Sequence, residues 1–151
     1  MSSSMKKIVV TFIAAIVAIP AFAQFTAQFD FTYSTEGEYP VTGKGTAVLQ
    51  DSCYHAEVSG FDIWCDGETR WIIDTESKEV IVEVAEPLLD LIQNLDLKHQ
   101  GNDVVGATFN LDDGTPVKLD IKNFKQTDPV NQLFKYDTSR LGDEYVITDL
   151  R

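Results

Sequence analysis

Basic residues are scarce in this chain: 12 lysines and arginines stand against 24 acids, a formal charge of −12. Such a charge repels the phosphates of nucleic acid and anionic headgroups alike, so no DNA or RNA partner is expected. Cysteine, histidine, methionine and tryptophan number two each. Two cysteines with His55 and His99 make a poor zinc set, because a structural zinc wants about four nitrogen or sulfur ligands brought together. Long apolar runs are missing after residue 23, and nothing later approaches the roughly 18 residues that span a bilayer. What is present suffices for a core: 44% hydrophobic and 11% aromatic residues mark the acidity as a solvated surface rather than a sign of disorder.

The start of the chain reads as an export signal. Lys6 and Lys7 precede an apolar run from Ile8 to Ile19, and Ala21-Phe22-Ala23 supplies the small residues that a signal peptidase accepts, with cleavage expected between Ala23 and Gln24. A core helix over 8–23 fits these flanks poorly. No cysteine stands at the cleavage point to take a lipid anchor. The expected product is a periplasmic, soluble protein of residues 24–151, one domain in size, with its charge moved from −12 to −14 by the loss of the two lysines.

In an oxidising compartment Cys53 and Cys65 read as a disulfide. They fall in neighbouring strand-like runs, Ser52 to Val58 and Phe61 to Asp66, about a Ser59-Gly60 turn, and are expected to lie opposite one another. The competing reading is two buried free thiols.

Period two dominates the rest, which is the strand signal. Phe25, Ala27, Phe29, Phe31 and Tyr33 alternate with polar residues, and further runs are expected over Gly43 to Gln50, Thr69 to Asp74, Glu79 to Ala85, Asp103 to Leu111, Val117 to Ile121 and Tyr145 to Leu150. After Glu86-Pro87 the period changes. Leu88, Leu91, Ile92 and Leu95 recur at helical spacing, predicting a short amphipathic helix. No internal repeat or linker is visible.

Several of these segments carry a resemblance. Gly45 to Gln50, Tyr54, the run Trp64-Cys65-Asp66-Gly67-Glu68-Thr69-Arg70-Trp71, Glu79-Val80, and the tail Phe134-Lys135-Tyr136-Asp137 with Val146-Ile147-Thr148-Asp149-Leu150-Arg151 resemble, in order, the periplasmic outer-membrane lipoprotein carrier (LolA-like) family. The resemblance implies an α+β, mainly β domain over 24–151: an antiparallel sheet curved into an incomplete, half-open barrel, its concave apolar face covered by the short helix. It also implies the function of a carrier or chaperone shielding acyl chains in a cavity on the way to the outer membrane. Its implied partners are acylated lipoproteins or lipids, an inner-membrane release machinery and an outer-membrane acceptor; no cofactor or metal is implied.

The expected cavity draws Phe29, Phe31, Leu49, Phe109 and Leu119 from the strands, with Trp64, Trp71 and Ile73 from the tryptophan hairpin. Leu88, Leu91, Ile92 and Leu95 complete it as the cover. Both tryptophans and the leucine stripe serve equally as plain core. The chain departs from the family in lacking a long first helix, in being short by a strand pair between Leu95 and Asp103, and in carrying Gln50, Asp51 and Ser52 where the family has an arginine and a proline. The alternative function is therefore a non-catalytic envelope interaction module with a filled core.

No enzyme is expected. His55 and Glu57 share one face of a strand, but no nucleophile or metal partner stands with them in a known arrangement, and a solvated or satisfied histidine is the expectation. His99 reads as a loop residue, and Asp112-Asp113-Gly114 as a hairpin turn without the ligand pattern of a calcium loop.

Overall fold

The alternation of apolar and polar residues becomes ten strands among the described residues, which in this computed structural model are 26–38, 40–85, 92–101, 103–111, 113–128 and 134–151. They are β1 Thr26–Thr35, β2 Thr42–Gln50, β3 Cys53–Val58, β4 Phe61–Cys65, β5 Thr69–Asp74, β6 Glu79–Val84, β7 Ile92–Gln100, β8 Asp103–Leu111, β9 Pro116–Thr127 and β10 Val146–Asp149. All join one sheet in the order β10-β6-β5-β4-β3-β2-β1-β9-β8-β7. Every pairing is antiparallel except that of β10 with β6, so the sheet is mixed, and it is not closed.

Tight turns set the register. Ser59 and Gly60 both take positive φ, 48° and 89°, the geometry of a two-residue hairpin that lets right-twisted strands pair at once, Val58 with Phe61. Gly67, at φ 96°, turns β4 into β5 while Asp66 Oδ1 accepts from the backbone N–H groups of Glu68 and Thr69 at 2.9 and 2.8 Å.

Alternation then sorts the side chains. One face collects the large cluster that includes Phe29, Phe31, Leu49, Ile63, Ile72, Phe109 and Leu119, drawn from β1 to β5 and β7 to β9. The opposite face of β5 and β6 holds a second cluster, Trp71, Ile73, Val80 and Val82. Trp64 packs against that second cluster, as do Tyr136, Leu141 and Tyr145 from the segment that leads to β10. β5 is consequently buried on both faces.

Two expectations change. Ile92 and Leu95 belong to a strand, β7, and not to a helix; Leu88 and Leu91 lie outside the described residues, as do Ala23 and Gln24. From Ile92 on, the departure from period two is the trace of a bulge. Asn94 takes φ 58° and the β7–β8 register slips between Gln93 and Asp96, so the inward positions fall at Ile92, Leu95 and Leu97 instead of at every second residue. Among the described residues the helical element is a 3-10 turn, Thr138–Arg140, capped by Asp137, whose side chain accepts from the Ser139 backbone N–H at 3.0 Å. None of their helices is long and apolar enough to cross a membrane.

The second change concerns the cysteines. The two-residue turn sets Tyr54, not Cys53, across from Cys65, one position out of the register that the disulfide reading needs. Both thiols are free, Cys53 half-buried and Cys65 buried.

Candidate functional site

The large apolar face is built in cross-strand rows. Register carries one row from Phe29 through Ala47, Ala56 and Ile63 to Ile72, and a second from Ala27 through Leu49, Tyr54 and Cys65 to Arg70. In the first row small alanines on β2 and β3 leave room beside bulky Phe29, Ile63 and Ile72. Each fully buried phenylalanine or leucine is worth about 1.5–3 kcal/mol relative to exposure, so this face dominates the stability of the sheet.

The expected cavity residues divide between the two faces. Phe29, Phe31, Leu49, Ile92, Phe109 and Leu119 come together in the large cluster, with Leu95 half-buried at its margin. Trp71 and Ile73 lie on the other face, and Trp64 with them. That is a correction to their place in the cavity: the tryptophan hairpin is covered by the C-terminal segment, where the Trp64 and Tyr136 ring centroids stand 5.6 Å apart.

Polar groups at the end of the second row escaped the sequence reading. Arg70 is only 5% exposed, and its Nε and Nη2 both donate to Glu83 Oε1, at 3.0 and 2.9 Å. Burial works against the Arg70 cation, but Tyr54 and Glu83 beside it outweigh that cost and hold its pKa above the ordinary value. Burial pushes the Tyr54 hydroxyl up, and that hydroxyl finds no hydrogen-bond partner of good geometry. Burial likewise raises both thiols, Cys53 further through its neighbour Cys65, and so keeps them protonated near neutral pH, where a thiol is a weak nucleophile. The alternation on β5 placed Arg70 opposite Trp71, but nothing in the pattern told which face would carry the arginine.

No family model matches the chain, and no curated protein matches it. Among solved structures it is similar to one described as the crystal structure of an uncharacterized conserved protein from Thermus thermophilus, with a TM-score of 0.56 and 10% identity over 92% of this chain and 99% of that one. At that identity the likeness shows the fold alone.

Proposed function

We propose that the chain is an exported, periplasmic carrier or chaperone that shields the acyl chains of lipoproteins or lipids against the large apolar face. In this reading the unclosed sheet curves as a half-open barrel, and the concave side is the one that bears Phe29, Phe31, Leu49, Phe109 and Leu119. The observation that carries it is the continuity of one apolar face across eight strands of a sheet that does not close. Such a face is a surface on which hydrocarbon gains about 0.8 kcal/mol per buried methylene. Release machinery in the inner membrane and an acceptor at the outer membrane are the partners this reading requires.

A fluorescent fatty-acyl probe tests it. Uptake should saturate at one site, and Leu95→Glu, at the half-buried margin of the face, should weaken it strongly by setting a carboxylate against hydrocarbon. Lys125→Glu, on the exposed face, should leave it unchanged.

A second reading, an envelope interaction module with a filled core, has its own support. Phe29, Phe31, Leu49, Phe109 and Leu119 are each at most 2% exposed, and the outermost strand β10 presents Val146 and Ile147 at 64% and 46% exposure, an apolar edge suited to a partner strand. Absence of saturable uptake in a folded protein selects this reading.

A further inference from the structure

The solvent face of β3 and β4 brings together groups that the sequence keeps apart. His55 and Glu57 are two residues apart on β3 and point the same way, while register sets Asp62 across from Glu57 and Trp64 across from His55. His55 Nε2 stands 2.6 Å from Asp62 Oδ1. One ligand atom each from His55, Glu57 and Asp62 falls within 4.8 Å of the other two. The imidazole is also fixed in orientation, stacked on Trp64 with centroids 3.8 Å apart and planes at 21°.

Two carboxylates directly opposed across a strand pair repel each other, an arrangement that weakens a sheet unless a cation lies between them. We propose that His55, Glu57 and Asp62 bind a divalent transition-metal ion, with zinc the best fit. An imidazole nitrogen among the ligands favours zinc over magnesium or calcium, which take shells of oxygen. Three protein ligands leave a fourth tetrahedral position for water. The rigid strand pair holds the three donors in place before the ion arrives, and Trp64 restricts the ring that must face it. An approach from solvent exists: Glu57 also lines an open groove of about 480 Å³ with Thr46, Lys44 and Lys122. The side chains of His55 and Asp62 are 21% and 28% exposed. Binding replaces the hydrogen bond between Nε2 and Oδ1 by two metal–ligand bonds, the imidazole coordinating through Nε2 as the tautomer that carries its proton on Nδ1. The proposal is independent of the acyl-carrier reading, since the site lies on the opposite face of the sheet.

Calorimetric titration of the purified, chelator-stripped protein with zinc chloride, and separately with magnesium chloride, tests it. The expected result is one zinc per chain, bound at least about tenfold more tightly than magnesium, with a change in Trp64 emission. His55→Ala and Glu57→Gln should each weaken zinc binding by about tenfold or more while the far-ultraviolet circular dichroism stays that of the wild type. Should His55→Ala fail to fold, the exposed Glu57→Gln decides alone. Equal affinity for zinc and magnesium, or zinc binding that Glu57→Gln leaves intact, overturns the site and reduces the effect to counterions around a chain of charge −12.

Discussion

Truncating Phe29 to alanine should be the most damaging single change on the large apolar face. Phe29 is 1% exposed on β1, which pairs with both β2 and β9. Its ring lies 6.2 Å from that of Phe31, tilted at 55°, and 6.1 Å from that of Phe124, stacked at 26°. Phe124 reaches it because β9 bulges there: Asn123 takes φ 57° and the β1–β9 register slips between Gln28 and Asp30. Removing the ring loses its transfer free energy and leaves a space that neighbouring Ala47 is too small to fill. A Phe→Ala change of this kind costs about 3–5 kcal/mol, each aromatic pair accounting for about 0.5–1.5 kcal/mol. For a domain stable by about 5–15 kcal/mol that is a large fraction, and it should lower the melting midpoint by roughly 10–20 °C. Urea unfolding followed by tryptophan emission measures it, with Gln28→Ala on the exposed face of the same strand as the comparison, expected within about 0.5 kcal/mol of wild type. A loss below about 1 kcal/mol for Phe29→Ala, with an unchanged denaturant slope, would refute the packing described for this face.

Gly67→Val should cost more than about 1 kcal/mol, since a Cβ there meets Ser52 Oγ at 2.8 Å and φ is 96°; an unchanged urea midpoint would show that the turn relaxes freely. Arg70→Ala should cost about 3 kcal/mol by leaving Glu83 without its partner, and a neutral result would mean that Glu83 swings into water. Tyr54→Phe should be neutral or stabilising by about 1 kcal/mol, because the hydroxyl it removes is buried without a partner. The sign with pH follows from the raised Tyr54, Cys53 and Cys65: the fold favours their protonated forms, so that contribution is present below the unfolded pKa values and is lost as pH rises from there through the folded ones. Urea midpoints should therefore fall above about pH 9, less steeply in Tyr54→Phe, and a flat profile would contradict the burial of these groups. In the folded protein iodoacetamide should alkylate half-buried Cys53 at least about tenfold faster than buried Cys65; equal rates would show that β4 frays at its end.

The strands were legible because a half-buried strand alternates, and β8 was read with the bounds it has. What misled was parity. One positive-φ residue, Asn94, shifted the inward positions of β7 and made a strand look like a helix turn. For the cysteines, a two-residue turn set the pairing one position away from the one assumed, which puts Tyr54 opposite Cys65. On β5 both faces are buried, so alternation could not say whether Trp71 and Ile73 or Arg70 and Ile72 belonged with Phe29. That choice depends on the C-terminal segment, far along the chain, which packs Tyr136, Leu141 and Tyr145 over the tryptophans. The His55, Glu57 and Asp62 cluster was half visible: the spacing of 55 and 57 showed two members, and only the β3–β4 register supplies the third.

Native mass spectrometry of the protein isolated without detergent from its native cells tests the acyl-carrier account most directly. The account predicts a population heavier than the polypeptide by the mass of one acylated lipid or lipoprotein, dissociating on collisional activation and reduced by Leu95→Glu. Polypeptide mass alone, from a folded protein that also takes up no acyl probe, would contradict it.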